Sequence, residues 1–592
     1  MQEQDEVEEA VSFTDWDLAY HARDAPLSVK LHSKVCKKKK SKKKMEDCNQ
    51  KYSCRTAKET LEWINAILNF IKPYAFLTNA HVTNFFTHNL WQSIDPVWLH
   101  CLRNEPVRNL LLIPCGIIQE HWPASLKEFV LDLKSLAFPR EQAHLNKLFP
   151  GLNLVSLNTV LAQGMNFKKK HEVEVLSAVV SSVANSVGAQ TIVDVGAGQG
   201  YLAQVLSFQY QHSVVAIDAC SHHGTVTEKR AERIKKHYAA QMRKHYPGIG
   251  TLNVPKTITC RVMSIDMLKA LTSMSPHIDN VKRPELIGQV ADDKTSLVLA
   301  GLHACGDLSV TMLKTFLECK DVKAVVSIGC CYNLLSEGCL DIAGSQCGFP
   351  VSCGVKSAGI SLGKNSRDLA CQSAERWRSL EQDAGLHNFE LHAFRAAFQM
   401  VLCKYYPEII TSSPSIGRQG KALRRQQQRR ILQSSNNCEE SKHSSMPETI
   451  SHMQELYLNP HMSKSKTDDY SGSALHSHEL SCNGDTRYNE TAAASKYLLF
   501  KKFAQSGLSR LGLKSLQETH FHEIWKEAER FAELIGPYWS LRAALGPLLE
   551  TLLLLDRLLF LQEQGSSLES IMLPIFDPAL SPRNVAIIAK RI

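Results

Sequence analysis

Asp194-Val195-Gly196-Ala197-Gly198-Gln199-Gly200-Tyr201-Leu202 follows directly on the β-branched run Thr191–Val195 and opens a helical pattern. Gly196 and Gly198 let the backbone turn tightly with no Cβ in the way of a ligand. Gly200 closes the loop before the helix. Asp218 ends the next apolar run, twenty positions after Gly198. An acid at that point accepts hydrogen bonds from ribose hydroxyls. A dinucleotide loop, G-x-G-x-x-G, needs a third glycine where this chain has Tyr201, so that pattern fails. Instead an acid, Asp194, stands two residues before the first glycine.

Outward from this loop, short β-branched runs alternate with helical patterns. The pattern predicts strands over Thr191–Val195, Ser213–Ile217, Thr257–Val262, Leu297–Leu302 and Lys323–Ile328. It predicts helices over Glu172–Val187, Tyr201–Phe208, Glu228–Lys244 and Leu308–Glu318. Strand-helix alternation implies an α/β domain with a parallel sheet covered on both faces. This core spans 166–408. Before it, 56–165 reads as a helical N-terminal domain: Leu61, Ile64, Ile67, Leu68 and Ile71 recur at helical spacing and stop before Pro73, and a second helix is expected from Val82 to Trp91. Residues 1–55 form a charged arm too polar to bury a core. Residues 409–495 read as a low-complexity linker. The block 496–592 is helical again and ends on two expected strands, Ser570–Phe576 and Asn584–Ala589, which return to the central sheet.

The composition narrows the classes further. The 592 residues are 44% hydrophobic with a net charge of +9, which permits a nucleic-acid partner without requiring one. Eighteen cysteines are scattered with no C-x-x-C pair, so zinc ribbons and thioredoxin-type motifs lose their signature. No apolar signal segment follows the acidic start, so the thiols are expected to be reduced, in the cytoplasm, the nucleus or both. The most apolar stretch, Leu541–Leu561, is interrupted by Glu550, Asp556 and Arg557 and reads as a core helix rather than a membrane span. Lys37–Lys44 and the run from Arg418 to Arg430 are basic and suit nuclear import or phosphate contact.

The combination D-x-G-x-G-x-G with Asp218 resembles motif I of class I S-adenosylmethionine-dependent methyltransferases. That resemblance implies a Rossmann-like core with a mixed seven-stranded sheet, and S-adenosyl-L-methionine as cofactor. It places Asp194, Gly196, Gly198 and Gly200 at the methionine part of the cofactor and Asp218 at the ribose. Ser264 and Asp266, after the third strand, stand where methyltransferases contact adenine, or else cap the next helix. Lys168-Lys169-Lys170-His171-Glu172 suits a cofactor carboxylate, a substrate phosphate or a solvated helix start.

Two further strand ends carry Gly301-Leu302-His303-Ala304-Cys305-Gly306-Asp307 and Gly329-Cys330-Cys331-Tyr332-Asn333. Together with Asp556-Arg557-Leu558, Leu573–Pro578 and Ser581-Pro582-Arg583 they resemble the methyltransferase-like protein 25 group. Its core is similar to that of tRNA 2′-O-methyltransferases, but this chain has Cys-Cys-Tyr-Asn where those carry Cys-Cys-His-His. His303 and Cys305 are the candidate catalytic residues, His303 as a general base because an imidazole can exchange a proton near operating pH. The alternative is that both line the cofactor pocket. Lys170, His171, Cys330 and Tyr332 are candidate substrate contacts. The spacing H-x-C…C-C does not match a structural zinc site, so no metal is expected. Asp307 reads as a helix N-cap, and Arg367 and Arg376 as decoration of a helix or substrate contacts. The substrate expected from the basic runs is RNA; a protein substrate, or a cofactor-binding scaffold without catalysis, are the alternatives. No membrane partner is expected, and the sequence does not name an oligomeric state.

Overall fold

A computed structural model of the chain describes residues 51–245, 253–262, 264–274, 296–338, 347–410 and 485–592. The lysine run 37–44, the segment 418–430 and most of the expected linker lie outside the described residues. The chain divides into two compact units: Asp47–His81, Leu90–His387 and Gly536–Ile592 in one, Val82–Asn89 and Asn388–Ile535 in the other.

The first unit is built on seven strands: β1 Thr191–Val195, β2 Ser213–Asp218, β3 Lys256–Thr259, β4 Leu297–Ala304, β5 Val322–Gly329, β6 Leu568–Pro574 and β7 Val585–Arg591. Their order in the sheet is β3-β2-β1-β4-β5-β7-β6. β1 to β5 are parallel, and β7 runs antiparallel between β5 and β6. The central strands are near-continuous apolar runs because helices cover both faces; Val298, Leu299, Ala300, Val325 and Val326 are fully buried. The two C-terminal strands complete the sheet as the sequence implies. The reversal of order beside β1 makes a crevice at the carboxyl ends of β1 and β4, where such sheets bind ligands. This is the class I methyltransferase arrangement, an α/β Rossmann-like fold.

Helix α1, Ala57–Ile71, is opened by a capping box: Thr56 accepts from the Glu59 N–H, and Glu59 reaches back to the Thr56 N–H. Trp63, Ile64, Ile67 and Ile71 form its buried face. Three helices flank the crevice: α2 Phe167–Ser186, α3 Tyr201–Phe208 and α4 Leu308–Glu318. A fourth, α5 Gly546–Gln562, is the leucine-rich helix, buried on every side and packed on α1 and β6. Inside the protein its Glu550 pairs with Arg140 and Arg583, and its Asp556 accepts the Val351 and Ser352 N–H groups. Among the described residues no helix is long and apolar enough to cross a membrane.

Two differences from the sequence expectation matter. The segment Val82–Trp91 is not an α-helix but two 3-10 turns, Val82–Asn84 and Leu90–Ser93. Val82, Thr83 and Thr87 are poor helix formers, and Asn89 takes a φ of 48° that a right-handed helix excludes. Helix α2 begins at Phe167, not Glu172, so Lys168–Glu172 are helical.

In the second unit, helices Asp485–Arg510 and Glu518–Ala532 gather an aromatic core. Phe394 lies 5.4 Å from Trp525 and 6.2 Å from Phe500, ring centre to ring centre. Phe394–Phe398 belongs to a packed helix, Gln382–Tyr405, as its sequence suggests.

Candidate active site

The glycine loop sits at the carboxyl end of β1. Gly196, Gly198 and Gly200 all have left-handed backbones, with φ of 75°, 56° and 67°. Two of them are required for different reasons. A Cβ on Gly200 would lie 2.3 Å from the Thr227 side chain, so this glycine lets the loop pack on the protein. A Cβ on Gly198 would meet nothing within 4 Å, so this glycine faces open space. The Gly198 N–H donates to Asp218 Oδ2 at 2.8 Å, which ties the loop to the end of β2. The other oxygen of Asp218 accepts from the Cys220 N–H at 2.9 Å and lies 3.0 Å from His223 Nδ1.

Asp194 lies under the loop, 1% exposed, and its Oδ2 has no hydrogen-bond partner. Burial pushes its pKa up from 3.8 to about 7. The carboxylate thus carries a buried oxygen without a partner beneath a glycine loop whose Gly198 faces open space.

His303 lies one strand away, near the end of β4. The pairing of β4 with β5 passes from Leu302↔Ile328 to Ala304↔Gly329, so His303 is an extra residue. Its φ is 67°, in the left-handed region that favours glycine. Such bulges redirect a side chain beside an active site. Here the imidazole reaches Glu172 on α2, with Nε2 3.2 Å from Oε2.

Glu172 is fully buried and organises the acceptor side of the crevice. Its Oε1 accepts from Ser581 Oγ at 2.7 Å, and Lys168 and Lys169 stand 3.6 and 3.4 Å from its carboxylate. Burial pushes its pKa up, but the hydrogen bond and charge of His303 and the charges of the two lysines outweigh this. Glu172 is held well below the usual carboxylate range. Lys168 is pushed down, chiefly by burial and also by Arg376, Lys169 and Arg583.

Helical geometry sorts the KKKHE segment. Asn166 caps α2 by accepting the Lys169 N–H at 2.8 Å. Positions 168, 169 and 172 then share one face. Lys170, expected to contact substrate, points elsewhere and pairs with Glu174 at 3.7 Å. His171, also expected there, accepts the Asp577 N–H at 3.0 Å and packs edge-on against Phe576. It braces the β6–β7 connection, and burial lowers its pKa.

Three sulfurs meet beside His303. Cys305 Sγ is 3.1 Å from Cys330 Sγ, which is 3.5 Å from Cys331 Sγ. Hydrogen bonds with Cys305 and Cys331, then burial, push the Cys330 thiol far up. Hydrogen bonds from Cys305 and Cys330, with the charges of His303 and Arg583, push Cys331 down. Tyr332 is not part of this surface: it is 1% exposed and its hydroxyl donates to Glu550 at 3.0 Å. Glu550 is also paired with Arg140 and Arg583, each at 2.9 Å. Arg557 and Arg583 lie over the Tyr332 ring, at 5.4 and 5.5 Å. This buried network holds the Cys330–Cys331 turn from behind.

Two other expected residues have different roles. Asp307 occupies the N-cap position of α4, but its carboxylate accepts the Ser336 N–H at 2.8 Å instead of capping the helix. Asp266 is on the first turn of helix Ile265–Met274, with 93% of its side chain exposed and Lys269 at 3.9 Å. Ser264 caps that helix, accepting the Met267 N–H at 3.1 Å. Sequence reasoning missed Glu172, Ser581 and Arg583 as site residues. The available signal was the position of Glu172, a carboxylate three and four residues after Lys169 and Lys168 and just before the largely apolar run Val173–Val180.

Comparison with known proteins agrees with this geometry. Residues 168–338 match a protein family described as a methyltransferase domain. The chain is 23% identical over 649 residues to the Mus musculus protein named probable methyltransferase-like protein 25, spanning 89% of this chain and 96% of that one. It is 22% identical over 660 residues to the Homo sapiens protein of the same name, with 89% and 96% spanned. No solved structure matches. Sheet order, glycine loop and domain match together support a class I methyltransferase domain at residues 168–338, in a chain that resembles methyltransferase-like protein 25 over most of its length.

Proposed function

We propose that this methyltransferase draws on S-adenosylmethionine and delivers the methyl group to RNA. The observation that carries the donor is the pairing of an open Gly198 with the unpartnered Oδ2 of Asp194, one strand from the Asp218 carboxylate. These features fit the cofactor. Gly198 leaves room for its approach, Asp194 offers an anion to its ammonium group, and Asp218 offers an acceptor to its ribose. When bound, the cofactor supplies an electrophilic methyl on a sulfonium.

The chain's own residues supply positioning and a base. The bulge in β4 holds His303 at the crevice, and Glu172 orients the ring and stabilises a proton on it. A hydroxyl or ring nitrogen that attacks the methyl loses its proton to such a base. Most of the rate then comes from alignment of the two reactants. Lys168 and Lys169 both stand within 3.6 Å of the one carboxylate of Glu172 and leave the acceptor side cationic, which favours a phosphate-bearing substrate. Such an enzyme, with free thiols at its site, suits the cytoplasm or nucleus.

The test is to supply labelled cofactor and the full chain to a lysate of cells that lack it. Label in RNA supports the reading. Label in protein replaces RNA by a protein acceptor. Cofactor bound with no label transferred leaves a scaffold.

A further inference from the structure

We propose that Cys305, Cys330 and Cys331 form a site for one thiophilic divalent cation, zinc by the chemistry of its ligands. The three sulfurs lie within 4.8 Å of one another, with two of the separations 3.1 and 3.5 Å. Thiolates on one tetrahedral zinc, each about 2.3 Å from the metal, stand about 3.8 Å apart. A small expansion of the triangle therefore accepts the ion.

Linear spacing hides this site. Cys305 is brought in by the pairing of β4 with β5, across 25 residues of sequence. Neighbouring cysteines in a strand face opposite sides of a sheet and cannot share an ion. This chain has left the strand at Gly329, and Cys331, with φ −88° and ψ 75°, leads into the 3-10 turn Tyr332–Leu334. Both sulfurs consequently turn toward Cys305. The buried Tyr332–Glu550–Arg583 network fixes that turn.

Three thiols gain little from one another as a packing device, since S–H groups are weak donors and weak acceptors. As deprotonated ligands they are a soft set that selects zinc over magnesium or calcium. Three protein ligands leave a fourth position for water or an acceptor atom, the pattern of catalytic rather than structural zinc. All three cysteines are partly exposed, so an ion has access.

The test uses the full chain, stripped with a chelator under reducing conditions and titrated with Co²⁺ alone. One equivalent should bind, with thiolate-to-cobalt charge-transfer absorption, and Zn²⁺ should displace it. Cys305→Ser and Cys331→Ser should each weaken binding by more than about 100-fold, since losing even an outer-shell partner costs 10–100-fold. Cys403→Ser, at an exposed cysteine, should leave cobalt binding unchanged. Circular dichroism of each variant separates ligand loss from unfolding, and two variants on different strands guard against failure of either one. Absence of the charge-transfer band, or full affinity in both folded cysteine variants, overturns the site. Because the readout is metal binding, it stands apart from whether methyl transfer is observed.

Discussion

Two buried carboxyls, one in the central strand β1 and one on the helix α2, titrate in opposite directions. Asp194, under the glycine loop, has no partner for Oδ2, and burial pushes it up to about 7. Glu172, on α2, is buried as completely, yet His303, Lys168 and Lys169 hold it well below the usual range. Burial alone therefore does not set the charge of an acid. What surrounds it decides, and environments that separate two pKa values mark different chemical roles. The Glu172 side is complete within the protein. On the Asp194 side burial outweighs the charge of Lys169, and Oδ2 is left without a hydrogen-bond partner.

The comparison can be broken by substitution. The largest effect is expected for His303→Ala, which should lower turnover by about 10²–10⁴-fold while donor affinity stays nearly constant. Parallel loss of affinity, measured by calorimetry, would make His303 a pocket wall instead. Glu172→Ala should come next. It leaves Lys168, Lys169 and His303 facing a buried gap, at a cost of about 3–5 kcal/mol of stability in denaturant titrations. The sign with pH follows from its lowered pKa. The stabilisation is present above the ordinary value of 4.5 and is lost as pH falls through the lower folded value. The difference between wild type and Glu172→Gln should therefore shrink in acid.

Asp194→Asn should show the opposite slope in the cofactor-free protein. A raised pKa gives stability that is full below 3.8 and lost as pH rises toward about 7. That interval corresponds to roughly 4 kcal/mol at most. Wild type should thus lose stability relative to Asp194→Asn across that window, and parallel curves would remove the contrast with Glu172. The smallest effect is expected for Asp218→Ala, where losing charge-assisted hydrogen bonds worth roughly 1.5–3 kcal/mol weakens donor binding about ten- to hundred-fold. Unchanged affinity would detach Asp218 from the donor.

The donor half of the site was legible in sequence because it is local. Asp194 to Gly200 is one turn between a strand and a helix, and Asp218 ends the next strand. Local chemistry fixes such a turn whatever surrounds it. The acceptor half was legible only as residue types. His303 and Cys305 could be placed at a strand end, but the bulge that aims His303 depends on the register of β4 against β5. The sequence pattern starts α2 at Glu172, five residues late; with the helix begun at Phe167, Lys168, Lys169 and Glu172 share a face and Lys170 and His171 leave it. On a helix, such an error assigns the wrong face. Tyr332 followed two cysteines of the site, yet its hydroxyl partner, Glu550, lies 218 residues away. No pattern in the sequence reports a contact of that kind.

The sheet also carries a constraint in time. Five strands are in place once Gly329 has been made, but β6 and β7 wait for residues 568–591. During synthesis β5 is a bare edge, buried later only when β7 inserts beside it, and an unpaired edge strand invites aggregation. Ser581 and Arg583, which contact Glu172 and Glu550, arrive in the same final stretch. A nascent chain therefore carries its donor loop long before its acceptor side. A stop codon between residues 330 and 567 would release a protein with a glycine loop, an open sheet edge and an unfinished site.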